Sequence, residues 1–356
     1  MSNSASVNAT STGSGLPLVS ILIPAYNAAP FLADTIHSAL AQTWPHKEII
    51  VVDDGSADDT LAVARRFESQ GVKVVTQKNQ GAAATRNALF ALSRGDYIQW
   101  LDADDLLNPV KVESQACAAV RDGDVRNLYS SGWAYFRFRP HKARFLATAL
   151  WNDLSPIEWM TRKLELNLHM QTATWLVSRE LSLAAGPWNT KLLGDDDGEY
   201  FARVMMASRQ IRFVPESKVF YRISPASRLS HIGRSAAKME AQFHSMELNI
   251  QYIRSVEDSL RVRAACVTYL QRFLPFFYPE MPAIVKRAEE LAVSLGGKLH
   301  TPSISWKYWP IQKIFGWTAA KAVSVYYNQC KSWVLRIWDK TMFQLEGKTS
   351  TRLTFL

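Results

Sequence analysis

Short apolar runs recur through the first hundred residues, and each is followed by a segment with helical spacing. The run Leu18-Val-Ser-Ile-Leu-Ile23 reads as a buried strand closed by Pro24. Ile36 and Leu40 set a helical pattern over 30–42, and Glu48-Ile-Ile-Val-Val52 reads as a second strand. Ser56 or Asp58 stands where a cap would start a helix running to about Gln70. A third strand is expected over 72–76, a helix over 82–93 and a fourth strand over 97–101. This alternation predicts a mostly parallel sheet with helices on both faces. Its crossovers should be right-handed, and ligands should sit at the carboxyl ends of the strands.

After Val125 the pattern changes. The aromatic-rich 127–139 stretch is expected at a sheet edge, 172–177 as a strand and 197–207 as a helix. Short strands follow at 211–214 and 219–222. From His231 strand signal fades, and helical spacing continues to about Leu295. A Gly296-Gly297 break and Pro302 then precede a last helix over 311–338. The expected organisation is a disordered tail over 1–17, an α/β domain over 18–230 and a smaller helical, basic region over 231–356.

Composition narrows the class. The 356 residues are 47% hydrophobic and 21% charged, enough for a sizeable core. Cys117, Cys266 and Cys330 are dispersed, which speaks against a disulfide framework or a zinc site and for a reducing, cytoplasmic setting. The N-terminal stretch lacks a signal-peptide pattern, and no apolar run reaches the roughly 20 residues of a membrane span. The net charge is +9, and 17 Lys and Arg against 9 Asp and Glu fall from His231 onward. That asymmetry suits an anionic partner.

The chemistry-bearing residues fall at the predicted strand ends. Pro24-Ala-Tyr26-Asn27 follows the first strand and offers a ring on which a base could stack. Asp53-Asp54-Gly55-Ser56 follows the second, where an acid can accept from a base N–H or a ribose hydroxyl, although Asp-Gly is also common turn chemistry. Asn79-Gln-Gly81 and then Arg86-Asn87 follow the third, with a cation near a helix start. Asp102-Ala103-Asp104-Asp105 follows the fourth. Three carboxylates in four residues repel one another unless a cation sits among them, and Mg²⁺ or Mn²⁺ bridging a diphosphate is a natural occupant.

These four motifs, in this order, resemble the signature of the family 2 glycosyltransferases with the GT-A fold, a Rossmann-like α/β architecture. The resemblance is strong over 18–110, loose over 111–230 and absent beyond. It implies that Tyr26 and Asp54 hold the nucleobase, usually uracil, with Asp53 beside them and Arg86 lining the same pocket. It implies Asp102 near the ribose, Asp104 on the metal and Asp105 supporting them. The run Gly194-Asp-Asp-Asp-Gly-Glu199, read by itself, is a set of acids favourably placed at a helix start. By resemblance Asp197 is the catalytic base, with Asp196 the alternative if the register slips by one, and Glu199 and Arg203 complete the pattern. The implied reaction is inverting transfer from a nucleotide-sugar, UDP-linked in the usual case, to a glycan or lipid-linked acceptor.

The 220–231 segment resembles a piece of chain that closes over the diphosphate, with Arg222, Arg228 and His231 as contacts; a basic connecting loop accounts for it equally. Trp133, Trp151, Trp175 and Trp188 are expected either as core or as a stacking floor for a sugar, and His169 as structural. In the last helix Ile311, Ile314, Phe315, Ala322, Val325, Tyr326 and Trp333 share a face opposite Lys313, Lys321 and Lys331. Packing on the catalytic domain and peripheral docking on the inner face of an anionic membrane both account for this pattern. Nucleic acid is not an expected partner, because no reader motif accompanies the charge. A nucleotidyltransferase would carry a Gly/Arg/Lys-rich loop where Pro24–Asn27 stands. A processive synthase is disfavoured by the absence of membrane spans and of a QxxRW motif.

Overall fold

The computed structural model describes residues 15–223 and 235–349. Its centre is a five-stranded sheet in the order β3-β2-β1-β4-β7, built from β1 (Val19–Ala25), β2 (Lys47–Asp53), β3 (Val72–Thr76), β4 (Tyr97–Trp100) and β7 (Val177–Ser178). The first four strands pair in parallel and β7 is antiparallel at the edge. Side chains alternate across this sheet with period two. Leu22, Ile50, Val52, Ile98 and Trp100 enter one core, and Val19, Ile21, Ile23, Ile49 and Val51 the other. Burial on both faces explains why these strands read as continuous apolar runs.

Helices α1 (Leu32–Leu40), α2 (Thr60–Arg65), α3 (Ala82–Leu92) and α4 (Lys111–Asp122) flank the sheet. A second sheet, in the order β5-β8-β6, joins β5 (Leu106–Leu107), β8 (Gln210–Arg222) and β6 (Asn127–Phe136). The two strands expected at 211–214 and 219–222 are one strand, β8, accommodated by a register shift at Ser131/Gly132 of β6. The strand expected at 172–177 is a 3₁₀ turn, Thr172–Thr174, followed by two residues of strand.

Beyond α5 (Pro156–Leu166), α6 (Arg179–Ala185) and α7 (Asp196–Ala207), three helices close the first core: α8 (Ala236–Val256), α9 (Leu260–Phe277) and α10 (Pro282–Ser294). Phe243, Ile250, Cys266, Leu270 and Ile284 share one cluster with Leu22 and Trp100, so the core runs without interruption from the sheet into these helices.

The last helix, α11 (Trp309–Thr349), is broken at Gly316, whose φ of 81° is not helical. A single projection over 311–338 therefore does not hold, and most of the residues assigned to its apolar face are exposed. Ile314, Phe315, Tyr326 and Trp333 are 64–72% exposed. α11 touches the rest of the protein at particular points instead. Lys321 pairs with Glu280, and Asp339 and Glu346 both pair with Arg139. Among the described residues no helix is long and apolar enough to cross a membrane.

Candidate active site

The carboxyl ends of β1, β2, β3 and β4 meet along one edge of the sheet. Pro24 lies beyond the last β1–β4 pair, Leu22 with Trp100, where its missing N–H costs nothing on that side. Asn27 adopts a φ of 48°; its backbone N–H donates to Ser56 Oγ at 2.9 Å, and its side-chain oxygen accepts from Ala57 N–H at 2.9 Å. The loops after β1 and β2 are thereby locked together, with the Tyr26 ring about half exposed beside them. Gly55 is required here. Its φ is 68°, and a Cβ would come within 2.9 Å of Asn79 N and 3.1 Å of Gln77 O.

The acid pair after β2 divides its work. Asp54 is buried and accepts from Gln80 N–H, Gly81 N–H and Gln77 Nε2 at 2.8–2.9 Å, so it shapes the loop entering α3, including Asn79 and Gly81. Asp53 Oδ2 accepts from Thr76 Oγ1 at 3.0 Å. Its Oδ1 is buried without a hydrogen-bond partner among the described residues, an acceptor of the kind that a bound donor group would satisfy.

Arg86 was expected to line the pocket of the base. It is buried on α3 and bridges the two acidic motifs, donating from Nη2 to Asp102 at 3.0 Å and from Nη1 to Asp196 at 2.7 Å. Its guanidinium also lies 4.5 Å from the centre of the Trp188 ring. Burial works against its charge, but Asp196 and Asp102 outweigh burial and hold it above its ordinary pKa. Loss of solvent raises both carboxylates; Arg86 opposes this, while Asp104 pushes Asp102 further up and Asp197 does the same to Asp196.

The loop of Asp102, Ala103 and Asp104 is held from behind. Ala103 O accepts from Thr35 Oγ1 at 3.0 Å. Asp105 is fully buried and accepts from Gln171 Nε2 and from Arg222 N–H. The Arg222 guanidinium donates to Asp104 O at 2.8 Å and to Asp34 at 3.1 Å, between the rings of Phe31 and Phe136. Arg222, expected as a diphosphate contact, is 5% exposed and engaged by protein groups. His231 and Arg228 lie outside the described residues.

At the start of α7 three adjacent acids have three different settings. Asp195, at φ 54°, accepts from Ser245 Oγ at 2.7 Å and Gln242 Nε2 at 3.0 Å, which ties α7 to α8. Burial and the neighbouring Asp197 push its pKa up to about 6. Asp196 is taken up by Arg86. Asp197 accepts from Thr172 Oγ1 at 3.2 Å and faces a cavity of about 240 Å³ that Asp102, Gln171 and Tyr221 also line. Glu199 is buried and structural, held by Arg203 at 2.8 Å and by the Tyr252 hydroxyl at 2.7 Å.

His169, expected to be structural, lines the same cavity, with its ring 5.4 Å from that of Trp133 and 6.2 Å from that of Tyr221. It is open to the cavity but enclosed by protein walls; this desolvation lowers its pKa, against the pull of Asp197. Trp188 is core, stacked on Tyr200 at 4.0 Å, and Trp151 stacks on Phe213 at 5.7 Å. Asp195 and Gln171 were missed as organisers of the site, because the partners that define them come from distant helices and turns.

Among the described residues no three or more His, Cys, Asp or Glu gather into a metal cage. The chain's share of a divalent cation's shell would be Asp102 and Asp104. Carboxylates so placed fit a hard cation that takes its remaining ligands from phosphate oxygens and water.

Known proteins resemble this chain in sequence and in fold. The profile described as Glycosyl transferase family 2 matches residues 20–182. TuaG of Bacillus subtilis, named for teichuronic acid biosynthesis, is 41% identical over 102 residues, 28% of this chain and 40% of that one. Chondroitin synthase of Escherichia coli is 42% identical over 133 residues, 33% of this chain and 19% of that one. The match thus spans well under half the length of either relative. S. aureus TarS 1–349 in complex with UDP-GlcNAc superposes with a TM-score of 0.62 at 16% identity, over 78% of this chain and 81% of that one. Residues 20–182 are thus similar to the family 2 glycosyltransferases, and the chain shares the GT-A fold of TarS.

Proposed function

We propose that this protein transfers a sugar from a UDP-sugar to a hydroxyl of a glycan or lipid-linked acceptor, with inversion at the anomeric carbon and with Asp197 as general base. One observation carries the assignment of the base. Asp197 opens on the cavity that Asp102 also lines, whereas its neighbour Asp196 is neutralised by Arg86. The donor reading draws support from TarS, solved with UDP and with UDP-GlcNAc, and from the polysaccharide-forming relatives.

Tyr26 and the unpartnered Asp53 Oδ1 receive the nucleobase and ribose, on the loop that Asp54 shapes. Asp102 and Asp104 would hold Mn²⁺ or Mg²⁺; a manganese complex is known for a Pyrobaculum calidifontis mannosyltransferase of similar fold, with a TM-score of 0.50. Such a cation, when bound, offsets the charge that grows on a departing diphosphate. Asp197 accepts the acceptor's proton as that oxygen forms its bond to the anomeric carbon, and the bond to the diphosphate breaks on the opposite face. Arg86 fixes the spacing between the donor side, Asp102, and the helix that carries the base.

The exposed aromatic and aliphatic side chains of α11, interleaved with Lys313, Lys331 and Arg336, support docking on the cytoplasmic face of an anionic membrane. A lipid-linked acceptor would be met there. The test of the reaction is a panel of nucleotide sugars with Mn²⁺, comparing wild type, Asp197→Asn and Asp196→Asn. Turnover by Asp197→Asn should fall by roughly 10²–10⁴ while UDP binding holds. A larger fall for Asp196→Asn moves the base by one residue, and full activity in both removes this run from the chemistry.

A further inference from the structure

The second sheet has two unlike faces. Phe136 and Arg222, directly opposite each other on β6 and β8, are buried on one side. One residue back, Tyr135 and Tyr221 are also directly opposite, on the other side of the pleat, and Trp133 shares that side. This face reaches solvent, since Tyr135 is 51% exposed. His169 joins these rings from the chain beyond α5, which the left-handed Asn167, at φ 50°, turns out of the helix.

Together the rings form a row. Tyr135 and Tyr221 are 5.3 Å apart, centre to centre, and tilted by 34°; Tyr221 and His169 are 6.2 Å apart and tilted by 32°. Trp133 stands edge-on to all three, at interplanar angles of 83° to Tyr135, 70° to Tyr221 and 88° to His169. Edge-to-face contacts of this kind are attractive, so one indole braces the row.

The row begins at the chemistry. Tyr221 and His169 line the cavity of about 240 Å³ on which Asp197 opens, and Tyr135 continues the row beyond it. Such a volume is below the roughly 300–1,000 Å³ of clefts that take drug-sized molecules, which leaves room for about one sugar ring. The rest of a longer acceptor must leave the cavity, and the ring-to-ring steps are close to the length of one sugar residue in a chain. Aromatic rings suit such a path. The C–H groups of a pyranose pack on the negative face of a ring, while its hydroxyls stay with water and the tyrosine hydroxyls. Charge narrows the class further. On the cavity walls Asp102, Asp195 and Asp197 stand against a single lysine, Lys238, among the described residues, so an acidic sugar gains no counter-charge there.

We propose that Tyr135, Tyr221 and His169, braced by Trp133, form the acceptor-chain subsite, and that the acceptor is a neutral glycan engaged over at least two sugar residues. One residue lies in the cavity beside Asp197 and the next on Tyr135. The inference rests on the reading of Asp197 as base, and it deepens that reading: an acceptor with a single sugar leaves Tyr135 unused.

The test is calorimetric titration of the full-length protein, with and without UDP and Mn²⁺. The ligands are one-, two- and three-residue glycans of glucose, galactose, mannose and N-acetylglucosamine, with trigalacturonate as the acidic counterpart. In wild type at least one neutral series should gain about tenfold in affinity from one residue to two, the scale of one aromatic contact. Tyr135→Ala should remove that gain, Tyr135→Phe should keep it, and Asp197→Asn should keep it too. The absence of a gain with length in every neutral series, or a gain that survives Tyr135→Ala, overturns the proposal. Tighter binding of trigalacturonate than of every neutral trisaccharide overturns its neutral class. Failure of wild type to bind UDP counts against the donor reading, and full turnover by Asp197→Asn against the base. Neither of those results alters the length series measured without UDP, so the failures can be told apart.

Discussion

Replacing Arg86 by Met removes a cation that joins the two acidic motifs, and the structure sets both the size and the sign of the effect. Asp196 has a side-chain exposure of 16% and Asp102 one of 30%, so neither recovers full hydration when its partner goes. Breaking a buried pair costs about 3–5 kcal/mol, and the partial exposure of Asp102 places this variant near about 3 kcal/mol. At about 2 °C per kcal/mol for a chain of this length, Tm should fall by about 6 °C. Burial already holds both carboxylates above the ordinary aspartate range, with Arg86 opposing it. Without Arg86 their folded pKa values rise further above the unfolded value of about 3.9. An acid raised on folding contributes its stability below the unfolded pKa and loses it as pH rises through the folded pKa. The deficit of the Met variant should therefore be largest near about pH 8 and shrink towards about pH 5. Urea denaturation across this range measures it. A deficit under about 1 kcal/mol, or one of equal size at both ends, would refute the bridging role, since it falls below what an uncompensated buried charge costs.

Three further outcomes are expected. Asp195, raised to about 6, should drain stability as pH climbs from the unfolded value towards 6, so Asp195→Asn should flatten the Tm–pH profile in that window; an unchanged slope contradicts the assignment. A Cβ at Gly198 would collide with the Asp195 carboxylate, so Gly198→Ala should cost about 1–3 kcal/mol by displacing it from Ser245 and Gln242; thermal unfolding within error of wild type would count against it. Joint replacement of the exposed Ile314, Phe315 and Trp333 by Ser should leave Tm almost unchanged and release the protein from anionic liposomes in a flotation assay; equal flotation would show that α11 is not the anchor.

The parallel sheet and the motifs at its edge were legible in the sequence because their causes are local. A strand buried on both faces must be apolar along its length, and the residues that follow it necessarily lie at the carboxyl edge. The order of the four motifs therefore carried the family resemblance. The division of labour among the acids was not legible. Asp195, Asp196 and Asp197 are consecutive and alike in sequence, and their roles differ only because Ser245 and Gln242 approach the first, Arg86 the second and the cavity the third. The settings of Arg222 and His169 were hidden for the same reason. A guanidinium looks free until Asp34, Phe31 and Phe136 surround it, and a histidine looks structural until a cavity opens beside it. In α11 helical periodicity suggested an apolar stripe, but Gly316 breaks the helix and the body meets it at only a few points. Periodicity records which residues share a face; only contacts between distant segments decide what that face meets.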